Sequence, residues 1–553
     1  MKNKFCIYCM YTGLLMVLMM NVGCNNLFLR DSGSKEIPRM VKKPRLVGDV
    51  AVPFGLERME ITGVCLAVNL PGTGSDPPES WERTKLLKDM SGRQVENKNE
   101  LLASPNTSLV FATGELRPGV RKGDRFDIMV TLPPQSETTS LRGGYLMEAR
   151  MRDLVIIDRV REGRDRGKCS GPIIVDPKTG TENDVISQKQ GKVLSGGVSL
   201  IDRPIGLRTN LDMKRRDTRL TRDIEAAINK RFTINGQKMA KAKDDKHLEL
   251  KIHPLYKDYG NSIVKLERYL DVIRCLPLRE TDKERLERLA SLEKRLHDAT
   301  TTRRAALELE ALGKAGIDIL KTGLKSSDIA VQFHSAQALA YLDVSESAEV
   351  LGRIAETESS YRAYALAALS SLGDLYADEE LRRLMNANTA ETRYGAFRAL
   401  TEMKPDDPLI KGVSLGNNTF TLCTVDSTGS QMVHVTRSVR AEIVIFGRDL
   451  RFQTPFAVAG TNNVVVRADT PEEVVISKFG ADIDQKRVVS PRVEEVIHAL
   501  SEVGATYPDV IEVLQEMVAQ GALPTSAFRV DALPKKSRKN NYETPDKNVE
   551  KKD

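Results

Sequence analysis

Six histidines and the four cysteines downstream of the first residues limit what chemistry this chain could do. His247, His253, His297, His334, His434 and His498 are scattered, without the spacings that bring two imidazoles to one metal ion. Cys65, Cys169, Cys275 and Cys423 stand in no CxxC or His/Cys pattern, so no metal centre is expected. The chain has no Gly-x-Ser-x-Gly turn, no His-Glu-x-x-His and no His/Cys/Asp arrangement, and no catalytic residue is assigned. Glu494 and Glu495 fall on the polar side of an amphipathic segment, where solvation accounts for them. The nearest thing to a ligand loop is Leu70-Pro71-Gly72-Thr73-Gly74. A phosphate cradle needs a Gly-Lys-Ser/Thr opening a helix, and here Pro77-Pro78 breaks the chain instead. The expectation is a structural or binding protein with no cofactor, not an enzyme.

Composition supports that class. A chain of 553 residues with 41% hydrophobic and 29% charged residues can bury several cores. A single Trp and 5% aromatics argue against carbohydrate or base stacking, so no nucleic acid is expected as partner. The net charge of +7 is mild for this length and suits anionic envelope polymers without requiring them. Lys2 and Lys4 precede an apolar run over 11–20, and Val22-Gly23-Cys24 follows. That is the layout of a secretory leader over 1–23. Cys after Gly resembles the lipobox of bacterial lipoproteins, although Asn21 stands where Leu is usual, and the resemblance implies a lipid on Cys24. The alternative is a plain leader cut nearby. Residues 24–50 read as a polar tether carrying Pro38 and Pro44. Cys6 and Cys9 leave with the leader. The remaining four cysteines then face an oxidising compartment, with three connectivities open.

The elements that would position any site centre on residues 106–144. Phe126, Ile128, Val130 and Leu132 alternate with Arg125, Asp127 and Thr131, which marks a strand with one buried face. A second strand is expected over 109–116, with Arg117-Pro118-Gly119 and Lys122-Gly123-Asp124 as turns. Ser140-Leu141-Arg142-Gly143-Gly144 then places two glycines where backbone must bend or approach closely. This order resembles the flagellar basal-body P-ring proteins, which carry a two-strand segment ending in the same Ser-Leu-Arg-Gly-Gly. The apolar run at 63–69 followed by Gly72-Thr73-Gly74 is a second, weaker likeness, and a short helix is expected over 84–90.

From 154 to 277 the readings are strands at 154–157 and 171–175, and a glycine-led apolar stretch at 196–201. A helix over 218–232 carries Leu220, Ile224, Ala227 and Ile228 on one face. A strand at 247–252 and a helix at 263–272 follow. The order, with Ala227-Ile228-Asn229, again resembles the P-ring family. Lys214-Arg215-Arg216, Arg219 and Arg222 form the densest basic cluster, a solvated flank or a contact for an acidic neighbour.

Between 278 and 408 a repeat appears. Leu309, Leu339, Leu369 and Leu400 recur about every thirty residues, each with an apolar residue three before and three after. Shorter apolar segments at 317–320, 350–354 and 381–384 read as second helices of each pair, and 284–297 as a polar leading helix. His297 and His334 are ordinary helix residues here. The block resembles HEAT-like α-solenoids, with a plain helical bundle as the alternative. A solenoid's concave face implies a protein partner.

After 409, strands are expected at 441–446 and 463–467. Residues 492–517 then form a helical hairpin, with apolar faces Val493, Val496, Ile497, Leu500 and Val510, Ile511, Leu514, Met517. Gly504 suits a C-cap and Pro508 a helix start. Gly504-Ala505-Thr506-Tyr507-Pro508 resembles the Gly-Ala-Thr-Pro near the end of P-ring chains, with one residue more. The expected architecture is α+β: P-ring-like mixed β/α domains over 51–277 and 409–531, split by the solenoid at 278–408, with a disordered basic tail over 532–553. The resemblance implies a periplasmic homo-oligomeric ring, a bushing around the flagellar rod of the basal body. Its partners would be rod and outer-membrane ring proteins, peptidoglycan, and the membrane through Cys24, most naturally the outer membrane. Ser140, Leu141, Arg142, Gly143, Gly144, Gly504, Ala505, Thr506 and Pro508 are the motif residues expected to shape it. The alternative function is a non-flagellar envelope lipoprotein displaying the repeats to another protein.

Overall fold

The computed structural model describes residues 45–156, 160–176, 184–209, 218–258, 263–479 and 484–531. The leader, Cys24, the tether up to 44, Ile157, Lys214-Arg215-Arg216 and the tail 532–553 lie outside the described residues. Before the helical stretch the strands are β1 (Ala51–Phe54), β2 (Met59–Val68), β3 (Ser108–Leu116), β4 (Arg125–Thr131), β5 (Tyr145–Ile156) and β6 (Val160–Pro172). They continue with β7 (Ile174–Val175), β8 (Gln190–Ser199), β9 (Ile205–Thr209), β10 (Ala240–Ala242) and β11 (His247–Leu250).

Strands β4, β3, β2, β5, β6 and β8 pair in that order, and β8 pairs back onto β4, so an antiparallel sheet closes on itself. Closure leaves no edge among those six strands. Phe126, Ile128 and Val130 of β4 point into the closed core with Ile61, Cys65 and Ala67 of β2 and Val110, Ala112 and Leu116 of β3. The alternate residues Val64, Leu66 and Leu109 are covered by Leu86, Met90 and Leu102 of the helices Trp81–Gly92 and Lys98–Ala103. Both faces of β2 are therefore buried, which is why 63–69 reads as a continuous apolar run instead of alternating. Strand β6, with its Arg-Glu-Gly-Arg-Asp-Arg-Gly run, carries no such signal. It is held by its ladders to β5 and β8 and by ion pairs such as Arg152–Asp165 (2.7 Å) and Arg166–Asp153 (2.9 Å).

The Phe126 ring fills space left by glycines on other strands. A Cβ on Gly114 or Gly197 would come within 2.4 Å of it, and one on Gly167 within 3.2 Å. Gly197→Ala is therefore expected to destabilise the protein by about 1–3 kcal/mol through overpacking, read as a lower urea midpoint.

The smaller sheet β1-β9-β11-β10 is antiparallel. The helices Thr218–Phe232 and Val264–Arg274 bury Leu220, Ile224, Ile228, Leu266, Leu270 and Ile273 in one core with it. The folded chain begins before 51: Leu46 bridges Pro277, and Val47 and Val50 are buried in the same core. The expected tether thus ends earlier than its assigned limit at 50, because those apolar side chains have a core to enter.

Eight α-helices follow among the described residues: Asp282–Leu296, Thr302–Leu312, Ile317–Leu324, Ile329–Ala340, Ala348–Thr357, Ser359–Leu372, Leu375–Leu384 and Ala390–Met403. Side-chain caps start several of them. Thr281 and Glu284 form a capping box, and Asp328, Asp374 and Thr389 accept from first-turn amides. Leu309, Leu339, Leu369 and Leu400 are fully buried. The helices that carry them touch in succession, and Ala348–Thr357 packs on Leu375–Leu384.

This stretch does not stand apart from the β-structure. One core cluster runs from Val47 through the helices to Phe446. On one side Tyr256 stacks on Tyr341 (4.7 Å between rings), and Ser371 Oγ donates to the Leu255 carbonyl (2.9 Å). On the other, Glu442 accepts from Tyr394 Oη and Arg398 Nη1, both at 3.0 Å. The long helices thus spend much of their surface on their own chain.

The strands after the helices are β12 (Val413–Leu415), β13 (Phe420–Val425), β14 (Met432–Val435), β15 (Glu442–Phe446) and β16 (Phe456–Ala459). Then come β17 (Val464–Ala468), β18 (Val474–Lys478), β19 (Gln485–Val489) and β20 (Phe528–Val530). They form a mixed sheet β12-β13-β15-β14-β20 and an antiparallel sheet β16-β17-β18-β19. The helices Val493–Glu502 and Tyr507–Ala519 share their core. Tyr507, the extra residue relative to Gly-Ala-Thr-Pro, ties the hairpin to the mixed sheet. Its buried hydroxyl accepts from Thr436 N–H (3.2 Å) and can donate to the Thr436 or Glu442 carbonyl.

His434 on β14 is wholly buried and stacked on Tyr394 at 3.6 Å. Burial pushes its imidazole down to about 3. In the unfolded chain it binds a proton near pH 6.5. The unfolded state therefore holds the extra proton between about pH 6.5 and 3, and stability is lost as pH falls through that window. Its share of the slope is up to about 1.4 kcal/mol per pH unit. His434→Phe should lose less stability between pH 7 and pH 5 than the parent, by urea titration at each pH.

Candidate functional site

The motif Ser140-Leu141-Arg142-Gly143-Gly144 leads into β5 and is held from several sides. Leu141 is buried in the closed sheet, and its N–H donates to the Gln188 carbonyl (2.9 Å). Thr73 Oγ1 donates to the Ser140 carbonyl (2.7 Å), and Thr139 N–H to the Thr73 carbonyl (3.0 Å). The Gly72-Thr73-Gly74 loop is therefore a structural clasp. Its Gly72 and Gly74 N–H groups are spent on Leu70, Asn106 and Pro105, and a Cβ on Gly74 would lie 2.1 Å from the Thr107 carbonyl oxygen.

Gly504-Ala505-Thr506 forms the turn of the terminal hairpin, and Pro508 lies in the first turn of its second helix. Gly504 takes φ +79°, a left-handed conformation suited to glycine after a helix. Ala505 is buried and its N–H donates to the Leu500 carbonyl (3.0 Å). Asp509 organises the turn. One carboxylate oxygen accepts from Thr506 N–H (2.8 Å) and Thr506 Oγ1 (2.7 Å); the other accepts from Thr461 Oγ1 (2.6 Å) and Asn462 Nδ2 (2.8 Å).

The fold brings these two distant motifs together. Arg142 pairs with Glu512 in the last helix at 3.2 Å. Gly143, at φ +75°, faces Asn462: a Cβ there would lie 3.3 Å from Asn462 Oδ1. A cleft of about 340 Å³ lies between the two sides, lined among others by Asn69, Gly143, Gly144, Asn462, Thr506 and Pro508. Asn69, Gly143, Asn462 and Asn463 on its walls all have positive φ, so the lining is built of turns. The Thr506 hydroxyl and the Asn462 amide on its walls donate to Asp509, and the Asn463 amide to the Phe479 carbonyl (3.3 Å). Lys478, also on the wall, donates to the Gly504 carbonyl (2.6 Å). Burial raises the carboxyl of Glu512 despite Arg142 beside it. Gly143→Ala is expected to cost about 1–2 kcal/mol for the left-handed backbone alone, checked by chemical denaturation.

A second seam joins the same two sides. Asp127 of β4 accepts from Ser195 N–H (2.9 Å) and from Val439 N–H (2.6 Å). Arg437 pairs with Asp176 (2.6 Å), and Ile174 is buried in the core of the strands after the helices. Asn462, Asp509 and Glu512 carry no part of the sequence reading, and Asp127 enters it only as a polar position of a strand. Asp509 carried a signal, since it stands three residues after Thr506 and can close a capping box. The others are single polar residues whose partners are remote in the chain. Among the described residues no group of three or more His, Cys, Asp or Glu could hold a metal ion, and no helix is long and apolar enough to cross a membrane.

Residues 46–274 match the model of the family described as flagellar P-ring protein. This part of the chain is P-ring-like. The match ends at the last residue of the helix Val264–Arg274, just before the helical stretch. A flagellar P-ring protein of Thermotoga maritima is 24% identical over 246 residues, 43% of this chain and 70% of its own length. One of Helicobacter pylori is 23% identical over 210 residues, covering 37% of this chain and 55% of the relative. One of Wolinella succinogenes is 23% identical over 208 residues, 37% and 56% respectively. The matched region therefore contains the closed sheet, the small sheet and the Ser140–Gly144 side of the cleft, while the eight helices from Asp282 to Met403 and the Gly504–Pro508 side lie beyond it.

Proposed function

We propose that this protein is a structural subunit of a periplasmic P-ring-like assembly of the flagellar basal body, many copies closing head-to-tail around the rod. The observation that carries this reading is the P-ring match over 46–274 in a body whose Ser-Leu-Arg-Gly-Gly motif docks on the terminal hairpin. A closed ring requires two different, rigid contact faces on each subunit. The Arg142–Glu512 and Asp127–Val439 ties supply rigidity by fastening the blocks 51–277 and 409–531 to each other. The motif residues Ser140 to Gly144 and Gly504 to Pro508 shape this body.

The leader over 1–23 exports the chain, and a lipid on Cys24 tethers the ring, to the outer membrane in this reading, with the stretch after Cys24 as spacer. The helices over 278–408 are a HEAT-like solenoid used as an internal brace. Outer-membrane ring proteins and peptidoglycan are its expected neighbours. The brace favours the ring over the alternative of a scaffold displaying repeats, because the long helices are packed on both blocks.

Detergent-extracted protein viewed end-on by negative stain should show annuli. A stable monomer under all conditions would overturn the ring. Metabolic labelling with a fatty-acid analogue should disappear in Cys24→Ala, and unchanged labelling would overturn the anchor.

A further inference from the structure

Among the described residues four cysteines are buried, and two of them meet. Cys65 on β2 and Cys169 on β6 place their sulfurs 3.7 Å apart inside the closed sheet, with 0% and 1% exposure. The strand between them, β5, opposes Cys169 with Ala149, whose small side chain leaves the two sulfurs room to touch. Cys275 and Cys423 lie elsewhere, at the end of the helix Val264–Arg274 and on β13, and burial pushes each thiol up to about 12.

We propose that Cys65 and Cys169 are a covalent cross-link site, joined as a disulfide across the interior of the closed sheet whenever the chain folds in an oxidising compartment. A disulfide needs sulfurs about 2.05 Å apart. The remaining gap is of the order of a bond length, and because β5 stands between β2 and β6 it closes by the strands drawing together as well as by the two side chains turning. The link would tie β2 to β6 over a separation of 104 residues, enclosing β3, β4 and β5. Cross-links over such long spans constrain the unfolded chain most.

Burial sets the order of events. Neither sulfur is open to an external oxidant once the sheet has closed, so the bond forms while β6 is still joining. The oxidant is a protein disulfide of the thiol–disulfide exchange class. One cysteine, as thiolate, attacks that disulfide and forms a mixed disulfide. The other thiolate then displaces it, the Cys65–Cys169 bond forms, and the donor leaves as a dithiol carrying the two electrons and two protons.

The assignment rests on the export reading above, and its test separates the two. The full chain is produced with its own leader in a Gram-negative host, acid-trapped, denatured and alkylated without reductant, then digested with trypsin. Peptides 59–83 and 169–178 should be recovered linked, and should separate on reduction. In Cys65→Ser, peptide 169–178 should instead carry the alkyl group. A second arm takes the same purified chain, reduces and unfolds it, and refolds it with oxidised glutathione. Linkage in both arms, or in cells alone, supports the site. Linkage with glutathione alone supports the pairing and counts against export. Both peptides alkylated in both arms, or either cysteine joined to Cys275 or Cys423, overturns it. None of these results depends on the serine variant folding, since the wild-type maps decide.

Discussion

Glu310→Ala is expected to destabilise the protein by about 3–5 kcal/mol, the largest effect of any single replacement considered, because it leaves a buried charge unpaired. Arg268, on the helix Val264–Arg274, reaches Glu310 on the helix Thr302–Leu312, and both side chains are almost wholly buried. Glu310 also accepts from Tyr256 Oη (2.7 Å), while Arg268 donates to Gln337 Oε1 (2.5 Å). Removing the carboxylate strands the guanidinium and the phenol together. Removing both charges should cost less: a Glu310→Leu, Arg268→Met double variant is expected to recover part of the loss, since apolar replacements avoid the desolvation of either ion. Urea unfolding of the parent and variants measures this. A double variant no more stable than Glu310→Ala would mean that the ion pair does more than satisfy itself. A biphasic transition in Glu310→Ala would show that these residues fasten the helices to the strands before them.

Asp509→Ala comes next, with an expected loss of about 3 kcal/mol from a wholly buried, charged acceptor. Its carboxylate serves Thr506 N–H, Thr506 Oγ1, Thr461 Oγ1 and Asn462 Nδ2 at once, so the loss frees both the hairpin turn and the loop that lines the cleft opposite Gly143. Asp509→Asn keeps the size and one acceptor oxygen and should lose less. Asp449→Ala, at an ion pair whose carboxylate is 79% exposed, should change stability by less than about 1 kcal/mol. Amide exchange at 461–463 should quicken in Asp509→Ala and not in Asp449→Ala. Equal exchange in the two would detach the loop from the carboxylate.

The local signals in the chain were enough for the elements whose pattern is their own. Alternation marked β4, the 3.6-residue period marked the helices Thr218–Phe232 and Tyr507–Ala519, and the thirty-residue recurrence marked the long helices. The Ser-Leu-Arg-Gly-Gly run, with the Gly-Thr-Gly loop and the order of elements after it, carried the P-ring likeness, and these lie within the match over 46–274. Tertiary structure alone decided the rest. Strand β6, rich in Arg, Asp and Gly, is a strand because β5 and β8 offer it ladders, and nothing in its own side chains says so. The covering of the long helices by their own chain depends on single polar residues, Glu310 and Glu442, finding partners far along the sequence. Likewise the cleft forms where residues far apart in the chain, Gly143 and Asn462 among them, come to face each other. Periodicity reports which face of an element is apolar; it is silent on which surface will cover that face, because the burial free energy is non-directional and the specific match comes from packing and hydrogen bonds between distant segments.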